Sequence, residues 1–181
     1  MDAIELLKHD HRMVEQLFRD YHTAASGRQR RAVVETLVRE VSRHAAVEEL
    51  MVYPLAKRTL PGGVQEVEEH LAEHMAVKKT LLALDKLSVD DPREGELVQR
   101  LREEIEDHVQ EEEGELMPRL RDAVSQKDLD RLGELLAQAK QTAPTRPHPH
   151  APDEPPALSL AGPVAAAYDR LRDRLQGRPR T

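Results

Sequence analysis

Residues 43–54 read RHAAVEELMVYP, and residues 107–118 read DHVQEEEGELMP. Each stretch sets a histidine (His44, His108), a glutamate four positions on (Glu48, Glu112) and a proline six beyond that (Pro54, Pro118). Four residues are about one helical turn, so each histidine and its glutamate share a helix face, roughly 6 Å apart along the axis. The two copies therefore predict two long helices carrying the same polar pair on one face.

The chain around them supports that reading. Asp2 and Glu5 make a capping-box start, and Ile4, Leu7, Val14, Leu17, Phe18 and Tyr21 follow at helical spacing until Ser26-Gly27. A second helix is predicted over 29–59, kinked or loosened in its last turns by Pro54 and stopped by Leu60-Pro61-Gly62-Gly63. A third covers 64–87. After the turn at Ser88–Pro92, a fourth covers 93–124 with Pro118 late in it. Ser125 opens a shorter fifth helix to Gln141. The fold class expected is all-α, an up-down-up-down four-helix bundle over residues 1–141 with a short fifth helix. Residues 142–163 are proline-rich and read as an extended or disordered linker. Residues 164–181 place Val164, Tyr168, Leu171 and Leu175 on one stripe of a short basic amphipathic tail helix.

Composition agrees and narrows the chemistry. One Phe, three Tyr and no Trp leave a Leu/Val/Ala core, which suits packed helices. The absence of cysteine excludes disulfides, zinc ribbons, iron–sulfur clusters and thiol nucleophiles. A formal charge of −7 disfavours nucleic acid as a partner. No apolar run approaches a membrane span, and the start MDAIELLKHDHR lacks the pattern of a secretory signal. A cytoplasmic protein is expected.

The nine histidines hold the functional information. In an antiparallel hairpin, two residues lie at one height when the turn falls midway between them. The midpoint of His11 and His44 falls on the Ser26–Arg28 turn. That of His44 and His74 falls at Thr59, and that of His74 and His108 at Asp91. Four histidines, one per helix, thus share a level. Glu48, His70 and Glu112 form a second level with the same midpoints, and the fourth place in it belongs to Leu7. Five imidazoles and two carboxylates in an apolar core would be costly without a cation. They exceed what one tetrahedral zinc uses, and two bridging carboxylates suit two six-coordinate ions. Imidazole with carboxylate fits iron, with manganese, cobalt and zinc left open by ligand type.

Other residues read differently. His9 should face outward, and His22 lies too far along its helix for the same centre. His148 and His150 belong to the linker. Glu49, Glu111 and Glu113 are expected on a solvated face. His70-Leu-Ala-Glu-His74 matches the H-x-x-E-H signature of inverted zinc peptidases, but that reading leaves His11, His44 and His108 without a role. The Glu-x-x-His pattern of ferritin-like di-iron proteins is absent.

The ordered series His11, His44-Ala-Ala-Val-Glu48, His70-Leu-Ala-Glu-His74 and His108-Val-Gln-Glu-Glu112 resembles the hemerythrin-like, HHE cation-binding family over about residues 4–140. The resemblance implies a non-haem di-iron centre, two Fe ions with an oxo or hydroxo bridge. One iron would take His70, His74 and His108, and the other His11 and His44, with Glu48 and Glu112 bridging. The second iron would keep an open position for peroxide, O2 or NO. Catalase- or peroxidase-like turnover, or a redox or nitrosative stress response, is the function implied. The alternative is a non-enzymatic O2- or iron-binding sensor that signals to a protein partner through the tail helix. Tyr53 is an expected extra ligand or neighbour of the centre, its phenol brought toward the open site by the kink at Pro54.

Overall fold

Asp2 starts the first helix by a reciprocal cap. Its side chain accepts the Glu5 N–H at 2.9 Å, and Glu5 accepts the Asp2 N–H at 3.1 Å. In this computed structural model, which describes residues 1–153, helix α1 then spans Ala3–Thr23. Ser26 caps α2, Gly27–Val47, through the Gln29 N–H. The Leu60–Gly63 break uses Gly62 at φ +73°, a left-handed conformation that glycine adopts freely. Helix α4, Gly63–Asp85, follows, and after the next turn α5, Glu94–Glu111.

Both proline-bearing helices deviate where the repeated motif lies. Glu48–Val52 and Glu112–Leu116 are single π turns, closed by the Tyr53 N–H on the Glu48 carbonyl and the Met117 N–H on the Glu112 carbonyl. They lead into α3, Tyr53–Thr59, and α6, Met117–Ala123, each with its proline at the first turn. The sequence predicts a kink or loosened turns at Pro54; the structure takes up the disturbance as a widened turn just upstream of each proline. An α turn would drive the rings of Pro54 and Pro118 into the carbonyls four residues back. A widened turn relieves that clash, and such turns recur at functional sites.

Helix α1 packs on α2, α2 on α4, α4 on α5 and α5 on α1, which closes the four-membered bundle. Helix α7, Gln126–Thr142, is capped by Ser125 and lies against α1 and α2. The core is split in two. Ile4, Leu7, Val47, Val67, Leu116 and Leu129 belong to one apolar cluster, and Val14, Leu37, Val41, Val77, Leu81 and Leu101 to the other. His11, His44, His70, His74 and His108 fall between the two in every helix. The split is what leaves a polar layer across the middle of the bundle.

The proline-rich stretch is packed as far as it is described. Arg146 is buried and pairs with Asp85 at 2.6 Å, and residues 143–153 run without helix or strand. The rest of that stretch and the tail helix expected over 164–181 lie outside the described residues. Among the described residues no helix is long and apolar enough to cross a membrane.

Candidate metal centre

The polar layer has the four-histidine level that the turn midpoints predict. His11 Nε2 lies 3.2 Å from His44 Nε2, and His74 Nε2 lies 3.2 Å from His108 Nε2. Two glutamates join these pairs. Glu48 sets one oxygen 3.0 Å from His44 Nε2 and the other 3.4 Å from His74 Nε2. Glu112 Oε2 lies 3.4 Å from His11 Nε2 and 3.8 Å from His108 Nε2. Both carboxylates are wholly buried, and none of their four oxygens receives a hydrogen bond of acceptable geometry. Buried carboxylate oxygens without donors are rare and call for an ion or another explanation. Imidazole nitrogens and carboxylate oxygens converging in this way fit transition-metal cations.

Of three sets of atoms among the described residues that could each hold an ion, two lie within the four-histidine level. One is His11, His44, Glu48 and Glu112, and the other is Glu48, His74 and His108; within each set the ligand atoms lie within 4.8 Å of one another. Glu48 belongs to both. His70 is buried beside them, its ring 5.3 Å from that of His108, but its Nδ1 turns to Glu73 at 3.1 Å. It groups with Glu73 and His108 rather than with Glu48 and His74. Leu7 is buried in the neighbouring apolar cluster, as its place in the second level implies.

A closed ring of carboxylates surrounds the histidines. Each histidine of the four-membered level gives its Nδ1–H to an acid from the preceding helix of the bundle. His44 reaches Asp10 of α1 at 3.2 Å, and His74 reaches Glu49 at 2.9 Å. His108 reaches Glu73 of α4 at 2.7 Å, and His11 reaches Glu113 at 2.8 Å. Committing Nδ1 outward aims every Nε2 at the centre, the arrangement by which outer carboxylates orient metal-binding imidazoles. Glu49 is 2 % exposed and Glu113 half-buried, so their expected place on a solvated face is wrong, whereas Glu111 is exposed. Asp10 and Glu73 carry no expectation from the sequence. A signal was present: each of the four acids is the immediate neighbour of a centre residue, namely His11, Glu48, His74 and Glu112.

Tyr53 is buried with its hydroxyl 3.0 Å from His74 Nε2 and its ring stacked 5.8 Å from His70. It therefore stands on the His74 side and not beside His11 and His44, where the open position was expected. The π turn at Glu48–Val52 precedes it and turns it toward α4. His9 and His22 are exposed.

The electrostatics follow from burial and partners. Burial pushes the His44 imidazolium down, but Glu48 and Asp10 outweigh it and carry the group up to about 10. His74 is pushed down by burial and lifted to about 9 by Glu48 and Glu49. Glu48 is held well below the usual carboxylate range by His44 and His74 despite burial. The hydrogen bond from His108 brings Glu73 down to about 2. A cation at this layer would take the place of the Nε2 protons, so uptake would release protons.

The model of the family described as Hemerythrin HHE cation binding domain matches residues 2–120. An uncharacterized hemerythrin-like protein of Schizosaccharomyces pombe is 28% identical over 177 residues, covering 94% of this chain and 84% of that protein. A solved structure, a Hemerythrin HHE cation binding domain-containing protein from Mycobacterium kansasii, shares the fold with a TM-score of 0.68. It covers 78% of this chain and 86% of its own at 24% identity.

Proposed function

The chain belongs to the hemerythrin HHE cation-binding family, and from that membership we propose that it holds two iron ions and binds or turns over peroxide, O2 or NO. The observation that carries this reading is the pair of donor sets sharing the undonated oxygens of Glu48. His11 and His44 would hold one ion and His74 and His108 the other, with Glu48 and Glu112 shared. His70 or the Tyr53 phenol would complete the second, since both stand beside His74 and His108. Two iron ions, when bound, would lend two electrons to one peroxide, which gives water, and recover them from a second, which gives dioxygen, or would hold a diatomic ligand.

The protein's own part is to bind, orient and exclude water. The carboxylate ring fixes the imidazoles, so little reorganisation accompanies a change in charge at the centre. The two apolar clusters wall the layer on both sides. On the His11 and His44 side Leu7 stands where His70 stands by sequence on the other, and this is the side we assign to the small molecule. The reading tends toward turnover because Glu112 follows His108 by four residues and aromatics are scarce, both departures from invertebrate oxygen carriers. Anaerobic loading with Fe(II) followed by peroxide tests it. Dioxygen release with a change in the charge-transfer bands is expected; a stable oxy complex without turnover would favour a carrier or sensor.

A further inference from the structure

We propose that α7 is a positioning element of the metal centre, in which Lys140, acting through Asp10, fixes His44 and so strengthens cation binding on the His11 and His44 side. This inference rests on the metal-centre reading above. Lys140 Nζ lies 2.5 and 2.6 Å from the two oxygens of Asp10, whose Oδ2 is the one facing His44 Nδ1. Asp10 is 3 % exposed. The backbone of the same lysine is gripped as well: Arg43 donates from Nε and Nη2 to the Lys140 carbonyl at 2.9 and 2.7 Å. Asp10 and Arg43 are the immediate predecessors of His11 and His44. The last turn of α7 is thus bound, through side chain and main chain, to both residues that precede this half of the centre.

The other cations on the carboxylate ring come from within the bundle. Lys78 meets Glu49 at 2.7 Å from α4, the helix that carries His74. Lys8 meets Glu113 at a looser 3.5 Å from α1, the helix that carries His11, with both side chains about a third exposed. Lys140 comes from outside the four bundle helices and beyond the residues that the family model matches. Helix α7 is also seated closely at its middle, where a Cβ on Gly133 would lie 2.6 Å from the Met1 carbonyl oxygen. A buried carboxylate deprived of its cation is costly to keep in place. Without Lys140, Asp10 would turn toward water and leave His44 Nδ1 without its acceptor. Because binding linkage is reciprocal, a cation at His44 must in turn tighten the docking of α7.

The test uses the full chain and Co(II), titrated against a chromophoric chelator. The wild type is expected to bind two ions. In Lys140→Met one of the two should weaken by about tenfold, the low end of what losing an outer partner costs, and the other should hold. Lys140→Arg should recover most of the loss, and Lys8→Met should change neither ion as much. Amide exchange across 126–142 in the wild type, which needs no variant to fold, should slow on Co(II) loading. Two ions held as tightly in Lys140→Met, an equal loss in Lys8→Met, or exchange in α7 indifferent to Co(II) would each overturn this inference alone. A wild type that takes up no Co(II) would overturn the metal reading and this one with it.

Discussion

Glu48 and the imidazoles around it set the character of the site at the scale of single residues. Its carboxylate is wholly buried, meets His44 and His74, and receives no hydrogen bond. Glu48→Gln removes the shared negative charge while keeping the side-chain volume. Metal analysis of the variant should find one ion per chain or fewer. The metal-free protein should also depend on alkaline pH. The folded values of His44 and His74, about 10 and about 9, lie above their ordinary 6.5. Their contribution is therefore complete below pH 6.5 and is lost as pH rises through 9 to 10. Thermal melts of the metal-free chain should fall across that window, and a flat profile would contradict the ion pairing. The five histidines and two glutamates were legible in the sequence because their spacing is long-range and ordered. The ring of Asp10, Glu49, Glu73 and Glu113 was not. In a chain with 34 acidic residues, adjacency to a centre residue marks each of these acids only weakly, and which one meets which imidazole depends on helix rotation.

At the scale of elements, the four bundle helices and α7 fell close to where apolar periodicity and caps put them. The form of the break before each proline did not. A proline states that an α turn cannot pass through it, but not whether the helix bends or widens. Here it widens, at Glu48 and Glu112 themselves, and Tyr53 is carried to the His74 side. The packing of residues 143–153 was hidden because its anchor, Arg146 on Asp85, pairs residues distant in sequence. Close seating of α7 is open to test through Gly133. Gly133→Ala adds a methyl against the backbone at Met1 and Asp2, so denaturant melts should show a loss of about 1–3 kcal/mol, the usual cost of overpacking. Faster amide exchange should be concentrated in α7; an unchanged melt would show that the contact yields freely.

At the scale of the whole molecule, two apolar clusters hold a polar layer between them. Tyr53 apart, the clusters lend no donor to the layer, so stability and metal capacity should separate. Leu37→Ala in one cluster and Leu129→Ala in the other each empty a fully buried site and should cost about 2–5 kcal/mol. Each should still bind two ions, and melts of the loaded protein should lie above those of the metal-free one, as expected for a ligand bound to the folded state alone. Loss of both ions in either variant would show that the layer depends on the cores more than the contacts imply. The central claim is a two-ion centre bridged by Glu48 and Glu112. Metal analysis with Mössbauer spectroscopy of the full chain loaded with iron and oxidised tests it most directly. Two irons per chain in a magnetically coupled pair are expected; a single iron, none, or two magnetically isolated ferric ions would contradict it.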